Sequence, residues 1–159
     1  MPETQPPARP GADPEPVLHE DRLDYTPTTR SVTLARRRAA RLVTEWGHPG
    51  IAGDLALVVS ELMTNALLHG SLRGRLIRVR ITATGTALRV EVSDPRGERL
   101  PCPRAADGDE QFGRGLLLVG ALADDWGVRP RAGMGKTVWA QWTLAVTPCG
   151  ADPLMGRKE

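Results

Sequence analysis

Apolar side chains recur at helical spacing from Val32 to Ala66 and then at every second position from Ile77 to Val92, so the chain changes period near its middle. The first helical stripe is Val32, Ala35, Ala39, Leu42, Val43 and Trp46, with serine and threonine just ahead of it and Gly47 just behind. Pro49 suits the first turn of a second helix, whose stripe is Leu55, Val58, Val59, Leu62, Met63 and Ala66, and Gly70 is placed to end it. Ile77, Val79 and Ile81 then alternate with Arg78, Arg80 and Thr82. After a turn at Thr84-Gly85-Thr86, Leu88, Val90 and Val92 alternate with Arg89, Glu91 and Ser93. This is the pattern of an antiparallel hairpin with one buried face.

Val17 to Leu23 reads as a short edge strand. Residues 95–113, rich in proline, glycine and charge, read as a long mobile loop, the kind that in a compact domain is functional or disordered. A third helix is expected from Arg114 to Asp124, a strand near Trp126–Arg129, and a last strand from Lys136 to Val146 with Val138, Ala140, Trp142, Leu144 and Val146 on one side. The order β-α-α-β-β-α-β-β predicts an α+β two-layer sandwich, with about three helices on one face of a mixed, mostly antiparallel sheet.

Six prolines in residues 1–16 and almost no large apolar side chain make that segment a disordered tail. Residues 148–159 read as a second tail, leaving one domain over 17–147. Twenty-one Lys and Arg against 19 Asp and Glu give a net charge of +2, too little for a nucleic-acid surface. Cys102 and Cys149 form neither a metal spacing nor a disulfide framework, which fits a reducing cytoplasm. The chain does not start with a basic stretch followed by an apolar run, and its longest uncharged apolar stretch, Gly115 to Ala123, falls short of the ~20 residues of a membrane span. The expectation is a cytoplasmic protein with no membrane contact. Arg36, Arg37, Arg38 and Arg41 lie off the buried stripe of the first helix, and either a solvated face or a partner-docking surface accounts for them.

The chemistry gathers at three places. Glu61 and Asn65 lie one turn apart on the border of the second helix's stripe, where they can share one small object such as a hydrated cation on phosphates; a solvated helix edge is the plainer reading. Asp94 shares the parity of Leu88, Val90 and Val92 and therefore points inward, where a carboxylate needs hydrogen-bond donors. Before Pro95 it is either a turn-initiating residue or an acceptor for an exocyclic amino group such as that of adenine, with Gly97 letting the backbone approach the ring. Gly113-Arg114-Gly115-Leu116 is expected to open the third helix, whose free amides form an anion site to which Arg114 can add a charge-assisted contact. Gly135-Lys136-Thr137 looks like the tail of a Walker loop, but Pro130 stands where that loop needs glycine and a strand follows, so this reading is rejected. His69, in a helix's last turn, is assigned to the helix dipole.

The phrases Glu61-Leu-Met-Thr-Asn65-Ala-Leu-Leu-His69-Gly70, Val92-Ser-Asp94-Pro, Arg114-Gly-Leu-Leu-Leu-Val and Gly135-Lys-Thr-Val-Trp139-Ala resemble those of the Bergerat-fold ATP-binding superfamily, which includes gyrase, the heat-shock chaperone, histidine kinases and MutL (GHKL). Within it, the chain is similar to the single-domain anti-sigma-factor serine/threonine kinases, the RsbW-like group, over roughly residues 17–146. The resemblance implies that Asn65 coordinates Mg²⁺ on the ATP phosphates, that Asp94 fixes the adenine, and that Glu61 orients or deprotonates the nucleophile. It implies ATP and Mg²⁺ as cofactors and residues 98–113 as a lid. Implied partners are a sigma factor and an anti-anti-sigma antagonist, with a homodimer possible and no nucleic acid bound directly. Two features depart from the family pattern. Arg99 stands where a second adenine-side glycine is usual, and Thr137, at a position often adenine-side in the family, has the parity opposite to Val138 and is left out of the site. Two further readings stay open: a non-catalytic, nucleotide-responsive binding module of the same fold, and a detached histidine-kinase ATPase domain.

Overall fold

A computed structural model describes residues 14–70, 75–94, 109–130 and 135–145, without the side chains of residues 69, 70 and 109–114. Gly97, most of the expected lid, the first thirteen residues and the C-terminal tail lie outside the described residues.

Strand β1 (His19–Tyr25) leads into helices α1 (Thr29–Glu45) and α2 (Pro49–Asn65), and a single π turn (Ala66–Gly70) continues α2. Strands β2 (Ile77–Ala83) and β3 (Ala87–Asp94) form the hairpin; α3 (Asp109–Leu122), β4 (Asp125–Pro130) and β5 (Lys136–Thr143) complete the fold. The sheet order is β1-β2-β3-β5-β4. All four pairings are antiparallel, which narrows the expected mixed sheet to a wholly antiparallel one. With three helices, this is the expected α+β sandwich. β3 and β4 run in the same direction with β5 between them, so α3 is the connection that carries the chain over the sheet.

The local reasons are those the residues suggest. Thr28 caps α1 by accepting a hydrogen bond from the Ser31 amide at 3.2 Å, and Gly47, at φ +93°, supplies the left-handed residue after the helix. α2 has no side-chain cap and starts with Pro49 in its first turn. Hairpin register pairs Val79 with Val92 and Ile81 with Val90, so one face of the ladder is continuously aliphatic. The edge strand lies two residues later than Val17–Leu23, because its pairing runs from His19 opposite Ala83 to Tyr25 opposite Ile77 along the full length of β2. The chain before it is also tied down: Glu15 accepts hydrogen bonds from the Thr84 and Thr86 hydroxyls at the hairpin turn.

Leu55, Val58, Leu62 and Met63 of α2 pack with Ala35, Ala39 and Val43 of α1 and with Ile77, Ile81, Leu88, Val90, Val92 and Ala140 of the sheet, all essentially without solvent contact. Each buried aliphatic side chain of this size contributes about 1.5–3 kcal/mol by leaving water. The segment Pro49–Leu68, 20 residues at mean hydropathy 1.5, is long and apolar enough to cross a membrane by length and composition. A core helix meets that criterion for the same reason, and α2 lies at the centre of the helix layer with its apolar stripe inside the domain.

Candidate nucleotide site

Glu61 and Asn65 sit on the last two turns of α2, where the helix passes from core to border. Asn65 is 7% exposed and Glu61 half-buried. α3 crosses at this point, and Gly115 faces both side chains. A methyl group on Gly115 would stand 2.9 Å from Glu61 Oε2 and 3.5 Å from both terminal atoms of Asn65. Glycine therefore leaves a small hollow bounded by a carboxylate and a carboxamide. Asn65 Nδ2 is buried there with no hydrogen-bond partner among the described residues. Such groups are rare in native interiors, because stripping an amide of water without replacement costs about 1–3 kcal/mol. The carboxamide ends exchange by a half-turn, so the observation is that one polar end of Asn65 awaits a partner. The π turn begins at the next residue, Ala66, and such turns are frequent at functional positions.

The α3 boundary corrects one expectation. The helix begins at Asp109, five residues before Arg114. Gly113, Arg114, Gly115 and Leu116 are inside it, so their amides belong to the helical ladder and the uncommitted N–H groups are those of the first turn, near Asp109. The helix start expected at Gly113–Leu116 lies instead at Asp109. The Leu116 side chain packs against the core, and the Arg114 side chain lies outside the described residues. What remains of that motif is Gly115, which acts through its missing side chain.

Asp94 ends β3 at 2% exposure, on the helix-facing side as its parity predicts. β3 touches both α2 and the π turn, which puts Asp94 on a strand adjoining the Glu61–Asn65 helix. Directly across the ladder stands Lys136, 3% exposed. Burial pushes the Lys136 ammonium below the usual lysine range, and the charge of Asp94 opposes that shift. Gly135, at φ +114°, directly precedes Lys136, and a side chain is disfavoured there. In the sequence Gly135-Lys136-Thr137 stands out as a Walker look-alike and as part of a family-like phrase, neither of which singles out Lys136. No helix follows it, and the parity of Lys136 with Val138 and Ala140 was the available sign that the lysine points inward. Thr137 lies on the opposite side of the sheet, sharing a 2.7 Å hydrogen bond with Ser93, so its omission from the site agrees with the geometry.

That opposite face carries a second feature missed in the sequence. Glu91, 9% exposed, is contacted by Arg80 at 3.3 Å, Arg89 at 3.1 Å and Arg129 at 3.1 Å. Burial would raise its pKa, but the three guanidinium groups outweigh burial and hold the carboxyl below the usual glutamate range. Arg89 also lies over the Trp139 ring at 4.3 Å. This network lies on the sheet face opposite Asp94 and links β2, β3 and β4.

Among the described residues no three His, Cys, Asp or Glu side chains group closely enough to hold a metal alone. Asn65 fits a cation of another kind: Mg²⁺ keeps most of its waters and takes one or two protein oxygens together with nucleotide phosphates. The unpartnered carboxamide and the Gly115 hollow fit such a group. The two-layer sandwich with an acid and an amide on its central helix is consistent with a histidine kinase-like ATPase domain. Residues 25–142 match the family model of histidine kinase-like ATPase domains, and the chain belongs to that family. A comparison with curated proteins gave no match.

Proposed function

We propose that this protein is an ATP-dependent protein serine/threonine kinase of the anti-sigma-factor type, which phosphorylates an anti-anti-sigma-like partner and sequesters a sigma factor. The observation that carries the catalytic part is the hollow at Gly115, with Glu61 Oε2 and the Asn65 carboxamide both turned to it. Bound Mg-ATP supplies the transferable phosphoryl group and the positive charge that neutralises it. Asn65 holds the metal through its side-chain oxygen. Glu61, one turn earlier, orients the incoming serine or threonine hydroxyl and takes its proton. Asp94 accepts from the adenine amino group. Positioning and charge neutralisation are most of what phosphoryl transfer asks of a protein.

A second reading, a nucleotide-responsive docking module without catalysis, has one observation in its favour: α3 engages the amides of Gly113–Leu116 in its own ladder. The two readings separate in an assay of phosphate transfer from labelled ATP to proteins captured with this chain. The kinase reading expects acid-stable phosphoserine or phosphothreonine on a captured protein, abolished in Glu61→Ala and Asn65→Ala. ATP binding without transfer to any captured protein sinks the kinase reading and leaves the docking module. An acid-labile phosphohistidine product points instead to a histidine-kinase ATPase domain.

A further inference from the structure

Lys136 is a buried cation that the proposed chemistry does not use. It lies opposite Asp94 in the β3–β5 ladder, and directly opposed residues project to the same side of a sheet. Here that side faces the helices and the core. Both residues are almost sealed from water, at 3% and 2% exposure. A lysine placed there costs several kcal/mol in desolvation unless something offsets it, and the Asp94 carboxylate is the charge that acts on it. The cost also runs the other way: removing Lys136 takes from the sealed carboxylate a positive charge across the ladder, which shifts the balance toward a protonated or turned-away form. A protonated or turned carboxyl group is a poor acceptor for an amino group.

Resting on the adenine-recognition reading of Asp94, we propose that Lys136 is a positioning residue for the nucleobase: it keeps the Asp94 carboxylate charged and aimed, so that Asp94 can read the 6-amino group of a purine. Gly135, whose positive φ disfavours a side chain, immediately precedes the paired lysine. Lys136 acts through Asp94 and is given no contact with substrate.

The test compares ATP with purine riboside 5′-triphosphate, which lacks the 6-amino group, by calorimetry on the full chain. In the unaltered protein, loss of the amino group is expected to weaken binding about tenfold, the range for a hydrogen bond to a charged acceptor. In Lys136→Met that penalty is expected to shrink to about twofold, because ATP weakens while the analogue is nearly unaffected. Lys136→Arg, which keeps the charge, is expected to restore most of it. If Lys136→Met folds poorly, Asp94→Asn and the Asp94→Asn/Lys136→Met double variant give the same answer: with the carboxylate gone, removing the lysine should change ATP affinity no further. Equal weakening of both nucleotides in Lys136→Met, or a further loss in the double variant, overturns the proposal. If the unaltered protein binds both nucleotides equally well, Asp94 does not read the amino group, and the reading on which the proposal stands fails first.

Discussion

Gly115→Ala separates stability from activity. The added methyl would stand 2.9 Å from Glu61 Oε2, closer than real contacts allow, while both Asn65 terminal atoms at 3.5 Å are at ordinary distance. Only Glu61 must move, and it is the free end of a long, half-buried side chain. Turning it aside costs about 0.5–1.5 kcal/mol in rotamer strain. Against this, alanine in a helix interior is favoured over glycine by about 1 kcal/mol, partly by restricting the unfolded chain. The two terms nearly cancel, so the nucleotide-free variant should lie within about 1 kcal/mol of the parent, or within roughly 4 °C in melting temperature for a domain of this size. Activity should behave differently. A carboxylate misplaced by about an ångström costs on the order of a hundredfold in rate. Thermal unfolding without nucleotide, set beside the rate of phosphate transfer, checks both halves. Loss of more than about 2 kcal/mol of stability would mean that the hollow is a packed interface. Transfer at the parental rate would refute the role given to Glu61.

Two further expectations concern the sheet. Glu91→Gln leaves Arg80, Arg89 and Arg129 around a neutral group and should cost about 1–2 kcal/mol at neutral pH, less than a fully buried pair would because the arginines are partly solvated. Because the folded-state pKa of Glu91 is lowered, its contribution is complete above the ordinary value of 4.5 and fades as pH falls through the depressed one, so the gap between parent and variant should narrow only under acid; urea titrations from pH 7 to pH 3 would show a constant gap if the network were inert. Gly127→Ala would set a methyl 2.8 Å from the Trp139 indole, a rigid ring on the paired strand, and should destabilise by about 1–3 kcal/mol, measured by denaturant midpoint, with an unchanged midpoint counting against it.

Most of the architecture was legible because the sheet and the first two helices obey simple periods. Ile77, Val79, Ile81, Leu88, Val90 and Val92 are buried as their alternation requires, and Leu55, Val58, Val59, Leu62 and Met63 form the stripe expected of α2. Asp94 is likewise buried as its parity indicated, whereas Asn65, expected on the border of the stripe, is more deeply buried than its spacing indicated. The start of α3 was misjudged because Gly113 and Gly115 read locally as loop residues. The helix accommodates them because Gly115 is needed where α2 and α3 cross, a tertiary demand invisible to propensity. Asp109 and Glu110 were the overlooked sign, since acids favour a first turn. The π turn at Ala66–Gly70 was invisible for a related reason: its sequence continues a helical pattern. Glu91 and Lys136 escaped notice because alternation sorts residues by side and says nothing of a charge buried among partners from other strands.

The arginine cluster around Glu91 has a consequence for how the chain finds its fold. Arg80 is shared between Glu20 of β1 and Glu91 of β3, and Arg129 reaches Glu91 from β4, so one connected run of opposite charges joins four strands. If β3 slipped by a single position against β2, Glu91 would turn into the aliphatic layer and Val90 and Val92 would turn out among the arginines. The hydrophobic loss and the stranded charge would fall on the same mispaired state. Groups that add only modestly to the free energy of the correct sheet thereby make its nearest competitor costly, and the chain is steered to one alignment before the nucleotide site is assembled.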